Sequence, residues 1–189
     1  MINPMIRFFD ILISVIILII FSPALAIVSV FIFATDGRPI IYKQSRIGYK
    51  GKRFTIFKFR TMSNVIFKDE KLRLTIIGKI LRRTSIDELP QLINVLNKDM
   101  SIVGPRPLPK IIENKINKFL KIKRRKILPG ITGMSQINYT GKKRKLTDKI
   151  NLDLLFIDNY TLYNYFKIIL KTPIVLIIRF FKNKSSIIK

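Results

Sequence analysis

The chain has 189 residues, with 36 Lys+Arg against 11 Asp+Glu for a formal charge of +25, and neither Cys nor His. At 48% hydrophobic and 25% charged residues it carries enough apolar surface to collapse, which excludes a disordered basic tail. Without Cys or His there is no disulfide framework, no Cys or His metal ligation, no Ser-His-Asp or Cys-His nucleophile and no imidazole base. Chemistry is left to carboxylates, Arg, Lys, Tyr, backbone amides or an oxygen-bound cation.

The charge is unevenly placed. Met1 to Thr35 holds one cation, Arg7, and one anion, Asp10, so the entire excess lies in residues 36–189 and the chain divides there into two parts. From Phe8 to Phe33 the only polar residues are Asp10, Ser14, Ser22 and Ser29, a composition that belongs in lipid. At about 1.5 Å per residue the stretch reaches roughly 39 Å, against a hydrocarbon core of about 30 Å. A cleaved signal peptide would have more cations, a shorter apolar core and a small-residue cleavage site. Ser22-Pro23 predicts a kink near the middle, because proline removes one backbone bond and clashes with the preceding turn. The kink has two readings, a bend in a spanning helix or a turn that returns both ends to one face, and the residues alone favour the span. Arg38, Lys43, Arg46, Lys50, Lys52 and Arg53 place the second part of the chain on the cytoplasmic side.

Residues 36–189 read as one mostly helical α+β domain, with no linker or repeat. Asp36-Gly37-Arg38-Pro39 is a turn. Ile40 to Lys43 and Phe54 to Arg60 are β-branched and aromatic, separated by Gly48 and Gly51, and predict a hairpin with which strand content ends. Apolar spacing predicts helices over Leu72 to Arg83, Leu89 to Leu96, Lys110 to Lys126 and Leu146 to Phe156. Lys110 to Lys126 is basic and amphipathic, and Phe166 to Phe181 is apolar with Pro173 inside it. Both suit either a core-facing helix or a helix lying flat on an anionic membrane.

Two adjacent acidic pairs stand out. Asp69-Glu70 is flanked by Lys68 and Lys71 and reads as a solvated loop. Asp87-Glu88 is different: it lies in Arg82-Arg83-Thr84-Ser85-Ile86-Asp87-Glu88-Leu89-Pro90-Gln91-Leu92, at the predicted start of a helix. Ser85 to Glu88 matches a capping box, a purely structural account. The same field, with Arg82 and Arg83, would also keep Asp87 ionised and gather phosphate oxygens, as a carboxylate nucleophile attacking phosphorus requires. Farther on, Pro105 and Pro107 hold Arg106 in a stiff backbone suited to two-point phosphate binding. Leu128 to Asn138 contains Gly130 and Gly133, which permit close backbone approach to a ligand.

Taken in order, the kinked apolar helix, Phe57-Lys58-Phe59-Arg60-Thr61-Met62, Ser85 to Leu92, Asp99-Met100-Ser101-Ile102-Val103-Gly104-Pro105-Arg106-Pro107 and Pro129-Gly130-Ile131-Thr132-Gly133 resemble the bacterial sugar transferases, the monotopic polyprenol-phosphate phosphoglycosyl transferases. The resemblance runs from about Arg7 to Lys171. It implies a membrane enzyme that moves a phosphosugar from a UDP-sugar to undecaprenyl phosphate, releasing UMP, with Asp87 and Glu88 as its Asp-Glu dyad and Mg²⁺ as cofactor. By that carry-over Asp87 attacks the β-phosphorus and holds the phosphosugar covalently, while Glu88 serves metal or proton management, so that both are metal-ligand candidates. Arg82 and Arg106 match the family's phosphate-binding arginines, and Lys58, Arg60, Gly130, Thr132 and Gly133 are assigned to phosphate or substrate binding. The resemblance also implies a re-entrant helix over residues 1–35, bent at Ser22 and Pro23, and a catalytic domain over residues 36–189 on the cytoplasmic face of the bacterial inner membrane. Asp153 fits a family aspartate, whereas Tyr165 stands where related sequences often carry a second active-site aspartate. The expected partners are the UDP-sugar, undecaprenyl phosphate and membrane lipid, with no nucleic acid and the oligomeric state open, a homodimer included. Two other classes compete: a membrane-tethered basic module for anionic lipid or nucleic acid, and a degenerate relative kept as a scaffold.

Overall fold

The computed structural model describes residues 2–63, 73–138 and 145–182; Asp69-Glu70 lies outside them. Helix α1, Pro4–Asp36, is 33 residues long and starts at Asn3, whose side chain accepts from the Met5 and Ile6 amides. Among the described residues it is the helix long and apolar enough to cross a membrane. It runs through Pro23 as one element. Proline withholds the N–H that Ile19 O would otherwise accept, and the Ser22 hydroxyl donates to that carbonyl at 2.8 Å in its place.

Strands β1, Ile41–Ile47, and β2, Arg53–Phe59, form the expected hairpin, with Tyr42 opposite Lys58, Gln44 opposite Ile56 and Arg46 opposite Phe54. Helix α2, Ile76–Thr84, is capped by the Thr75 side chain on the Gly78 amide at 3.0 Å. A 3-10 turn, Ile86–Glu88, leads to α3, Gln91–Leu96. Strand content does not end at the hairpin: β3, Ser101–Val103, pairs in parallel with β4, Gly130–Thr132. Nor is Lys110 to Lys126 one helix. It divides into α4, Lys110–Asn114, and α5, Lys118–Arg124, because the Asn117 side chain accepts from the Phe119 amide at 2.8 Å and restarts the helix after buried Ile116. Short α6, Met134–Ile137, precedes α7, Leu146–Asp158, and α8, Leu162–Lys182, which contains Pro173.

The main core gathers Ile56, Val95, Met100, Val103, Phe156, Tyr165 and Ile168, and Ile6 of α1 is part of it. A second cluster joins Phe59 and Leu81 to Ile32, near the other end of α1. Both ends of the apolar helix therefore pack on one domain. The amino-terminal end is also tied by polar groups: Arg7 donates to Leu96 O at 3.1 Å and Met100 O at 3.4 Å. Asp10 Oδ1 accepts from Ser101 Oγ at 2.9 Å, the Ile102 amide at 2.8 Å and Tyr165 Oη at 2.8 Å.

Candidate active site

Asn94, fully buried in α3, accepts the Phe57 amide at 3.1 Å and donates to Thr55 O at 2.8 Å. That double bond clamps β2 against α3 and delivers Lys58 to the turn before α3. The turn itself does not form the expected capping box. Ser85 adopts φ 59° and makes no side-chain cap, while Pro90 stands at the start of α3. The left-handed residue reverses the chain after α2, and the dyad sits on the short 3-10 segment just beyond it.

Asp87 is 8% exposed. Burial, and then the charge of Glu88, push its carboxyl from the usual 3.8 up to about 6, against the pull of Lys58 and Arg82. Glu88 goes the other way: burial opposes its ionisation, but Arg106 and Lys58 outweigh burial and hold it below the usual range. Its Oε1 accepts from Lys58 Nζ and from Arg106 Nη2, the latter at 3.2 Å. One carboxylate of the pair is thus held as an anion, while burial and that anion make Asp87 hold its proton more tightly than a free aspartate, against the expectation that the local field keeps it ionised.

The turn that carries Arg106 is held from several sides. Gly104 N donates to Thr132 O at 2.9 Å and Gly130 N to Pro105 O at 3.0 Å. Buried Arg124 donates to Arg106 O at 2.8 Å and to Asp153 Oδ2 at 3.0 Å. Asp153 therefore braces the Arg106 turn from behind instead of lining the site. Gly130 and Gly133 do not meet the cavity either. A Cβ on Gly130 would stand 2.0 Å from Gly104 N, and one on Gly133 would stand 2.2 Å from Gly104 O, so both glycines permit backbone to approach backbone. Tyr165 is fully buried on Asp10, away from the dyad.

A cavity of about 1100 Å³ brings together Lys58, Arg60, Arg82, Asp87, Glu88, Arg106 and Thr132. Arg82 donates through Nε to Thr61 Oγ1 at 2.9 Å. Arg60 caps α1 by donating to Asp36 O, and to Gly37 O at 2.8 Å, and its Nε and Nη1 are buried without a partner. The opposite walls are apolar, made by Ile13, Ile17 and Phe21 of α1 with Ile169 and Leu176 of α8. Tyr42, Gln44 and Arg46 also line it, and the sequence does not single them out as site residues. Arg46 counts there only as a topological cation, although alternation along β1 puts the three side chains on one face. Among the described residues no group of three or more acidic side chains could by itself hold a metal. The dyad supplies two hard oxygen donors, which suits Mg²⁺ because that ion characteristically takes one or two carboxylates together with substrate phosphates.

A cationic floor with two carboxylates thus meets apolar side chains of a membrane-type helix in one cavity. The chain belongs to the family described as bacterial sugar transferase, which it matches over residues 2–179. It is 38% identical over 194 residues to the UDP-glucose:undecaprenyl-phosphate glucose-1-phosphate transferase of Klebsiella pneumoniae, covering 95% of this chain and 41% of that one. It is 37% identical over 198 residues to the undecaprenyl-phosphate galactose phosphotransferase of Salmonella typhimurium, covering 92% and 40%. The exopolysaccharide production protein ExoY of Sinorhizobium fredii is 34% identical over 193 residues, covering 88% of this chain and 82% of ExoY. The chain thus spans about two fifths of the Klebsiella and Salmonella relatives and most of ExoY.

Proposed function

We propose that this chain transfers a sugar 1-phosphate from a UDP-sugar to undecaprenyl phosphate, giving an undecaprenyl diphosphate sugar and UMP. The observation that carries the reading is that Asp87, Glu88, Lys58, Arg82 and Arg106 line one cavity together with apolar side chains of α1 and α8. Such a combination accommodates a nucleotide diphosphate and a lipid-borne phosphate together. Convergence of the cations on the dyad argues against a tethered basic module, which would scatter them.

The Asp87 carboxylate attacks the β-phosphorus of the donor. A bond forms between Asp87 Oδ and phosphorus, the bond from phosphorus to the bridging oxygen breaks, and UMP leaves with that electron pair. A phosphate oxygen of undecaprenyl phosphate then attacks the same phosphorus and displaces Asp87 as the free carboxylate. Arg82 and Lys58 face Asp87, and Lys58 and Arg106 face Glu88, so developing phosphoryl charge is met by fixed cations in a site of reduced water access. Asp87 and Glu88 would hold Mg²⁺, which supplies charge neutralisation on the phosphates when bound.

The setting is a monotopic one on the cytoplasmic face of the bacterial inner membrane. It is supported by Ile6 and Ile32, near opposite ends of α1, both being buried in the same domain, since a spanning helix would carry one of those ends to the far side. Exposed apolar residues on α2, Ile76 and Ile80, and on α8, Ile174, Ile177 and Phe181, suit contact with lipid. The test is UMP release when membranes bearing the chain meet undecaprenyl phosphate and each of a panel of UDP-sugars. Release with at least one sugar is expected, together with a phosphosugar adduct by intact mass that Asp87→Asn abolishes. No release from any of them refutes the reaction.

A further inference from the structure

Tyr42, Gln44 and Arg46 alternate along one face of β1 and all line the cavity, yet neither the dyad chemistry nor the membrane contacts use them. Arg46 stands at one end of this face, opposite Phe54 on β2. It is half-buried, donates to Pro107 O at 3.4 Å and to Gln44 Oε1, and its Nε is buried without a partner. Its charge feels Arg106, Tyr42 and Glu88, whereas Asp87 feels Glu88, Lys58 and Arg82. The floor is therefore polarised. Arg82 serves the Asp87 end, Arg106 and Arg46 serve the Glu88 end, and Lys58 reaches both carboxylates. Two adjacent anionic centres fit such a floor better than one. At the other end of the face Tyr42, 45% exposed and opposite Lys58 on β2, offers its ring to the cavity. Between them Gln44 gives its carbonyl oxygen to Arg46, which leaves its amide N–H groups to donate. Successive side chains on one face of a strand are about 6.8 Å apart, so Arg46 and Tyr42 can reach the phosphate and the base of one nucleotide, with Gln44 between them within reach of the base edge.

We infer that this face of β1 is the nucleoside monophosphate subsite of the donor: Arg46 with Arg106 takes the phosphate that leaves, Gln44 donates to a carbonyl of the pyrimidine, and Tyr42 stacks on the ring. The inference rests on the proposed transfer reaction and assigns its leaving half. It makes the site two-sided, with the phosphoryl group that is transferred lying at Asp87 and Arg82 and the departing uridine phosphate lying along the hairpin. Cytosine keeps the C2 carbonyl but presents an amine at C4 where uracil presents a carbonyl, so a Gln44 donor to the C4 carbonyl favours uridine.

UMP titrated into the detergent-solubilised full chain tests the assignment, beside steady-state KM values for the UDP-sugar and for undecaprenyl phosphate. Tyr42→Ala is expected to weaken UMP binding about tenfold, in the range of base stacking, and to raise the UDP-sugar KM in parallel while leaving the undecaprenyl phosphate KM unchanged. Tyr42→Phe keeps the ring and is expected to return UMP affinity to within about twofold of the native chain. Arg46→Gln is expected to weaken UMP at least as much as Tyr42→Ala, and Gln44→Ala to narrow the preference for UMP over CMP. UMP affinity unmoved by both Tyr42→Ala and Arg46→Gln overturns the subsite, as does a KM effect confined to undecaprenyl phosphate. A native chain that binds UMP through these residues but releases none from UDP-sugars keeps the subsite and refutes the reaction instead.

Discussion

Asp87 is held in a state that water would not give it. Because burial and Glu88 raise its carboxyl from 3.8 to about 6, the folded chain binds this proton more tightly than the unfolded chain. Stability therefore falls as pH rises from about 4 to about 6, and the full cost, on the order of 3 kcal/mol, stands above that window. In the metal-free protein Asp87→Asn is expected to raise the thermal midpoint at pH 7.5 by several degrees, with the gain shrinking toward pH 4, while turnover is lost. Melting curves at the two pH values check it, and a lowered midpoint at pH 7.5 would count against the strained carboxylate. Arg106→Lys is expected to cut kcat/KM at least tenfold despite the kept charge, since an ammonium cannot reproduce a planar two-point grip on phosphate oxygens. A change below threefold, under about 0.7 kcal/mol, sinks that role. These residues are legible in the sequence because the dyad and the proline-flanked arginine are local patterns. Arg46 is not, because its meaning depends on which face of a strand meets the cavity, and Gly130 and Gly133 mislead because the backbone they approach, that of Gly104, is remote in sequence.

Among the elements, the hairpin and helices α2, α3 and α7 follow from apolar periodicity, which reports a buried face directly. The β3 and β4 pair does not, being three residues per strand and joined across a long stretch of chain. The break between α4 and α5 depends on one capping side chain, that of Asn117, inside an otherwise continuous helical pattern. Asn94 shows how an element is placed by a single group. Asn94→Leu strands the Phe57 amide and the Thr55 carbonyl without partners, and is expected to destabilise the chain by about 2 to 4 kcal/mol in thermal or denaturant unfolding. Loss below about 0.5 kcal/mol would show that the clamp is not what seats β2. Tyr165 gives the converse case. The resemblance places an active-site aspartate at this position, but the tyrosine donates to Asp10 in the core, 2.8 Å away. Tyr165→Phe is expected to cost about 1 to 2 kcal/mol of stability while kcat stays within twofold, and a tenfold fall in kcat would bring this position back into the chemistry.

At the scale of the whole molecule, α1 is docked at both ends and exposed between them. Ile6 is 1% and Ile32 0% exposed, whereas Ile19, Ile20 and Ile27 are 68%, 66% and 57% exposed. A helix straight across the bilayer would leave Arg7, Asp10 and Ser14 without the domain that buries them, at a heavy cost for charged groups. The composition alone favours a span because hydropathy reports length and not what the two ends of the helix pack against. The Ser22 hydroxyl on Ile19 O makes the proline tolerable in lipid, so the helix runs through Pro23 without leaving that carbonyl bare. Topology is directly measurable because the chain has no native cysteine. A single Ile2→Cys is expected to react with an impermeant maleimide only once the inner leaflet is opened, and labelling from outside intact spheroplasts would establish a spanning helix. Pro23→Ala restores the missing N–H and removes the ring clash, so it is expected to shift the Ile2→Cys reporter toward labelling from outside. Activity should fall in step with that shift, because an α1 drawn across the bilayer withdraws Ile13, Ile17 and Phe21 from the cavity wall beside the dyad. Full activity in a population labelled from outside would separate the helix from the site.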